Sequence, residues 1–225
     1  MSIESCFRLD AIRIYYSNYK RLMSGNFDIN LPLFLLKSAY YHLFSKNIFA
    51  HHNTTIVGIR NIETYGRLLV GVSEFALADK RDRTVLKIHG KLVIQGNVEI
   101  GKGCILLIGK GSVCTLKECH LTGKTNLIVR HGLEIGKGSV IAWGCELMDV
   151  DLHTIEYEGR TEEDNAIVIG EHVWVGSHVK ILKGVHIGDN SVIAANAVVP
   201  KSFLEKNVLI AGNPARIIRR GVEWH

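Results

Sequence analysis

Residues 166–201 read AIVIGEHVWVGSHVKILKGVHIGDNSVIAANAVVPK, and a period of six runs through the whole stretch. Ile169, Val175, Ile181, Ile187, Ile193 and Val199 stand six apart, and glycine follows the first, second and fourth as Gly170, Gly176 and Gly188. Val173, Val179, Val185, Ser191 and Ala197 put small or β-branched side chains at the fifth place of each unit. The aliphatic series alone could arise by chance in so apolar a chain, but the glycines lower chance to about one in a thousand. Six is neither the 3.6 period of a helix nor the 2 of a strand, so neither an amphipathic helix nor a simple hairpin meander fits. Short strands joined by tight bends remain. One aliphatic residue would point inward from each flat face and a glycine would relieve each bend, as in a parallel solenoid with coils about 4.8 Å apart.

The pattern extends towards the N-terminus with slips of phase. Ile88, Ile94, Ile100 and Leu106 form one series and Val129, Ile135, Ile141 and Leu147 another, with Gly101 and Gly136 in the glycine place. The slips mark insertions. The expected organisation is an N-terminal segment over 1–85 and a solenoid domain over 86–225, with an extruded loop at 148–166 and a tail at 201–225. Within the first segment, LPLFLLKSAYYHLFSKNIF over 31–49 opens with Pro32 and predicts a short helix. Its apolar excess would pack on the main domain or rest at a membrane surface, where Lys20, Arg21, Lys37 and Lys46 would meet headgroups.

Composition narrows the class. In 225 residues, 47% are apolar and 22% charged, which excludes disordered and collagen-like chains. Glycine is high at 22 and proline low at 3, so the chain bends often without proline. A net charge of +5 favours anionic partners weakly and does not describe a nucleic-acid surface. Five cysteines without a CxxC pair indicate neither a disulfide framework nor a zinc ribbon, and reduced thiols in a cytosol are the simpler expectation. No signal-type core or run of roughly 18 to 20 apolar residues is present.

Polar loops on a rigid repeat scaffold are where solenoids carry function. Between Leu147 and Ile167 the repeat is broken by MDVDLHTIEYEGRTEEDNA. On an extended chain Asp149, Asp151 and His153 share one side. A carboxylate could fix the imidazole tautomer and leave the other ring nitrogen as a general base. The three could also ligate a divalent metal, or the loop could simply be solvated. The acidic run Glu162, Glu163 and Asp164 reads as a solvated loop or as a binder of acceptor hydroxyls. No G-x-S-x-G elbow is present, and Cys104 and Cys145 fall at inward places, so a covalent nucleophile is not indicated.

The 166–201 stretch, followed by NVLIAGNPARIIRR at 207–220, resembles the hexapeptide-repeat acyltransferases, particularly the galactoside and maltose O-acetyltransferase-like group. VWVGS, AANAVVPK and AGNPAR carry the likeness to this branch, which covers roughly 85–220. The resemblance implies a mainly β fold: a left-handed parallel β-helix with a short N-terminal helical segment and a C-terminal strand and helix. It implies a homotrimer with active sites between subunits, acetyl-CoA as co-substrate, no metal, and a sugar or glycan acceptor. It implies that His153 is the general base, with Asp149 and Asp151 beside it, in direct transfer without an acyl-enzyme. Gly176, Ser177, Ala194 and Ala195 would flank the pantetheine arm, and Lys201, Arg216 and Arg219 would face the adenosine phosphates. Trp143 and Trp174 would stack on the sugar or cover the thioester. The chain departs from the pattern at Pro200, where threonine is common, and carries one extra residue between Lys201 and AGNPAR. A cytoplasmic enzyme, in peripheral contact with the inner face of a membrane or free of it, is expected.

Acceptors of other classes stay open, including a small non-glycan hydroxyl compound or a sugar amine. A γ-type carbonic anhydrase shares the scaffold but needs two ligand histidines five positions apart, and no two histidines here have that spacing. A non-catalytic spacer is the third class.

Overall fold

The computed structural model describes residues 30–44, 46–72, 79, 81–153, 156, 158 and 165–225. Among the described residues, one α-helix, α1 (Leu31–His42), precedes twenty strands. The early strands are β1 (Ile48–Ala50), β2 (Thr54–Val57), β3 (Ile62–Val70), β4 (Thr84–Ile88), β5 (Lys91–Ile100), β6 (Ile105–Ile108) and β7 (Val113–Lys117). The middle strands are β8 (His120–Leu121), β9 (Asn126–Val129), β10 (Gly132–Ile135), β11 (Val140–Ile141), β12 (Glu146–Met148) and β13 (Ile167–Ile169). The last are β14 (Trp174–Val175), β15 (Lys180–Ile181), β16 (His186–Ile187), β17 (Val192–Ile193), β18 (Val198–Val199), β19 (Val208–Gly212) and β20 (Ala215–Arg220).

These strands pair in parallel, except that β19 and β20 run antiparallel. The pairing resolves into three faces. β3, β5, β7, β10, β13 and β16 make the first; β1, the far halves of β3 and β5, β8, β11, β14, β17, β19 and β20 the second; β2, β4, β6, β9, β12, β15 and β18 the third. This is the left-handed parallel β-helix that the repeat implies.

The aliphatic place of each six-residue unit becomes a column along the inside. Ile100, Leu121, Ile141, Val175, Ile193 and Ile210 are in register on the second face, and Leu86, Leu106, Leu127, Leu147, Ile181 and Val199 on the third. Each is buried, and burying such a side chain contributes about 1.5–3 kcal/mol. In the last coils, register advances by 18 positions per turn, as between Trp174 and Val192. From Val140 to Trp174 it advances by 34, so one coil holds 16 extra residues, and these form the extruded loop.

Two expectations are corrected. The stack reaches back to Ile48, so the boundary at residue 86 falls inside it. There the register advances by 30, and β3 and β5 each run on around a corner, so no six-residue phase survives. At the other end no helix forms. Ala215–Arg220 is a strand that covers the edge of β19, which suits its β-branched Ile217 and Ile218 better than a helix does.

The expected helix over 31–49 is α1, ending at His42. Asn30 caps it, its side-chain oxygen accepting from Leu33 N, and Pro32 stands in the first turn where no intrahelical donor is lost. Phe34, Ser38 and Tyr41 are buried, while Leu33, Leu36, Tyr40 and Leu43 stay exposed. The helix packs against β1 at the start of the stack. Among the described residues, no helix is long and apolar enough to cross a membrane.

Candidate active site

Between the second and third faces, three turns stack as a corner. They are Ala142–Cys145, Gly176–Val179 and Ala194–Ala197, joined by His178 N donating to Trp143 O at 3.0 Å and Asn196 N to Ser177 O at 2.9 Å. Trp143, Gly176, Ser177, Ala194 and Ala195 therefore lie in one column. Gly176 is required by closeness: a Cβ there would stand 2.6 Å from Ala195 N. Small side chains keep the corner's backbone accessible, with Ala195 exposed, Ser177 half-buried and Trp143 37% exposed. Cys145 lies behind the column, its thiol donating to Gly176 O at 3.1 Å.

Trp174 sits two residues before Gly176, pointing outward from β14 and 43% exposed. Val140, Trp174, Val192, Leu209 and Arg219 form one outward row across the second face. Arg216 pairs with Ala211, next to Ile210, whose carbonyl accepts from Ala194 N. It thus ends the Ser177–Ala195 column. Both arginines are exposed and, among the described residues, neither is ion-paired. Two cations beside a run of small turns have the chemistry to take an anionic head joined to a long neutral arm.

Lys201 is not brought to this cluster. It stands at the corner between the third and first faces, its ammonium 6.0 Å from the Phe203 ring. The extruded loop leaves from that same corner, one coil before Lys183 and two before Lys201.

The loop's three candidates separate. Asp149 is turned inward and buried, Oδ1 accepting from Arg130 N at 2.7 Å and Oδ2 from His131 N and Gly132 N at 2.8 Å each. Three backbone donors fill its carboxylate, so it is a clamp on the loop's root, not a partner for His153. Asp151 is exposed and paired with Lys183 Nζ at 2.5 Å. His153 is exposed, and among the described residues it makes no hydrogen bond or ion pair. Bends at Asp149 and at residues 152–153 break the alternation that would have put all three on one side. Glu162, Glu163 and Asp164 lie outside the described residues.

One face separates this corner from the Trp143–Ala195 column, roughly 15 Å for a face of about five residues. The thiols of the described residues are buried, and burial pushes Cys104 and Cys119 up to about 12, Cys145 up to about 11, and Cys114 upward as well.

Trp224 is a neighbour that no repeat phase marks. Its Nε1 donates to His172 O at 2.9 Å, its indole stacks on the His172 ring at 4.1 Å and 9°, and its centroid is 6.1 Å from that of Trp174. It lies beyond the last repeat, where only the presence of an aromatic residue in a polar tail hints at a contact.

Residues 166–201 match the family described as bacterial transferase hexapeptide (six repeats). The chain is 36% identical over 184 residues to an uncharacterized 24.8 kDa protein in the cps region of Klebsiella pneumoniae, covering 81% of this chain and 83% of that one. It is 31% identical over 181 residues to a polysialic acid O-acetyltransferase of Neisseria meningitidis, covering 69% and 84%. A crystal structure of a variant of AntD, an N-acyltransferase from Bacillus cereus, shares the fold at a TM-score of 0.52 and 18% identity, over 80% of this chain and 82% of that one. With the coil geometry, the matched repeat and relatives aligned over most of their length, the chain belongs to the hexapeptide-repeat acyltransferase family.

Proposed function

We propose that this protein is an acetyl-CoA-dependent O-acetyltransferase acting on a hydroxyl of a sugar or glycan precursor. The observation that carries the reading is the corner column of Gly176, Ser177, Ala194 and Ala195, flanked by Trp143 and ended by Arg216. Among the described residues the N–H groups of Ser177 and Ala195 make no bond within the coil, while those of Gly176 and Ala194 do, and a cation stands at the column's end, as the donor's neutral arm and phosphates need. Acetyl-CoA would supply an acetyl group activated as a thioester. His153 would take the proton of the acceptor hydroxyl as its oxygen attacks, and return it to the departing thiolate. Backbone N–H groups at the corner would hold the developing oxyanion.

With His153 on a different corner, the proposed site would be completed by two chains. In a homotrimer, the loop corner of one subunit, bearing His153, Lys183 and Lys201, would face the Trp143–Ala195 column of the next. The sugar class is supported by the Neisseria relative, a polysialic acid O-acetyltransferase.

The test is release of free CoA across a panel of acceptors, methyl glycosides of galactose, glucose and N-acetylglucosamine beside a polysialic acid oligomer, with the product treated with hydroxylamine to tell an ester from an amide. His153→Ala is expected to lower kcat by about 10²–10⁴ without changing the melting temperature. Unchanged turnover in that variant would remove His153 as the base, and a hydroxylamine-resistant product would make the acceptor an amine.

A further inference from the structure

On the second face, Trp174 is not alone. The chain beyond β20 folds back, with Val222 N donating to Asn207 O at 3.0 Å and Trp224 Nε1 to His172 O at 2.9 Å. Trp224 thereby spends its only donor and one ring face on His172. The indoles of Trp174 and Trp224 are inclined at 41° with centroids 6.1 Å apart, a splayed pair and not a closed stack. Trp174 is 43% exposed and Trp224 half-buried, so part of each indole faces solvent, and a ligand ring would lie across the touching pair and not between them. His172 itself has φ +52°, at the turn position that holds Gly138 on the coil before. A side chain with a Cβ is uncommon there, and here it supplies the ring on which Trp224 rests.

The rim decides what such an aromatic surface accepts. Each lysine beside His172 is already paired, Lys137 with Glu118 at 3.2 Å and Lys206 with Asp189 at 2.6 Å. Glu171 next to His172 is exposed, and its N donates to Asp189 Oδ1. Aromatic faces with carboxylates, an amide at Asn190 and, among the described residues beside His172, no unpaired lysine suit an uncharged ring with apolar C–H faces and hydroxyl edges, and disfavour a phosphate. The aromatic surface also lies near the donor column: Trp174 to Ser177 is three residues, about 10 Å of strand.

We infer that Trp174 and Trp224 form an acceptor subsite that stacks an uncharged hexopyranose ring. This deepens the proposed function, since it rests on the acceptor being a glycan, and it adds a substrate-binding residue outside the repeat.

The test is a tryptophan-fluorescence titration of the full chain with methyl glycosides of galactose, glucose and N-acetylglucosamine, and with adenosine 3′,5′-bisphosphate as the charged comparison. A saturable change with at least one glycoside is expected, its dissociation constant raised tenfold or more in Trp224→Ala and largely restored in Trp224→Phe, which keeps a ring on His172. The acetyl-CoA thermal shift should be the same in all three proteins. The inference is overturned if no glycoside binds the wild-type chain, if Trp224→Ala binds as well as wild type, or if only the bisphosphate responds to the substitution. A glycoside response lost in Trp224→Ala without any acetyl-CoA shift would leave the aromatic subsite standing and remove the acetyltransferase reading instead.

Discussion

Single residues set how the coils close, and here the glycines behave differently from the simple expectation. Gly170, Gly176 and Gly188 follow the inward aliphatics, yet none has a positive φ. Each sits where a Cβ would press on the next coil, as at Gly188, where Glu205 O would be 2.6 Å away. The bend itself is taken two residues later, at His172, His178, Gly184, Asn190 and Asn196, all left-handed. Asn and His tolerate that conformation better than other side chains. This second series at intervals of six was legible in the sequence beside the first. The trio in the loop was legible only as residue types. Alternation could not show that Asp149 turns inward to collect three backbone donors. Asp149→Ala should therefore lower stability by about 3 kcal/mol, because buried N–H groups lose charge-assisted partners. Chemical denaturation checks this, and a stable but inactive variant would restore Asp149 to the chemistry.

Among the elements, regularity decided what could be read. From Ile167 to Val199 the coils advance by 18, with a last step of 17 to β19, and the inward columns there follow from the spacing of residues. Before that the advance is 19 to 22, apart from 30 where β2 and β3 meet the next coil and 34 across the extruded loop, so the same columns exist without a periodic signal. The edge of β19 explains the missed strand: its partner β20 is chosen by an unpaired ladder, which local pattern does not show. α1 was legible from Pro32 and its apolar run, but not which side is buried. Phe34→Ala should destabilise by about 3 kcal/mol, whereas Leu36→Ala, at 69% exposure, should change stability by less than about 0.5 kcal/mol. Equal effects in thermal melts would mean that the helix does not dock through its Phe34 face.

In the proposed homotrimer, the arrangement of corners would divide the site between subunits, because His153 and the Trp143–Ala195 column leave the coil at different corners. Mixing two inactive proteins tests this: His153→Ala co-refolded in equal amount with Arg216→Ala/Arg219→Ala should regain about a quarter of wild-type turnover, the fraction of interfaces joining intact halves. A mixture no more active than its components would place the whole site within one subunit.

Thermal unfolding with and without acetyl-CoA needs no acceptor and reads donor binding by itself. A ligand bound only by the folded state at about 100 times its dissociation constant adds roughly 2.7 kcal/mol. For a chain of this length that is an upward shift of roughly 5–10 °C. Such a shift is expected here, diminished in Arg216→Ala/Arg219→Ala and retained in His153→Ala. An unchanged melting temperature at millimolar acetyl-CoA would mean that the corner column is not a donor site.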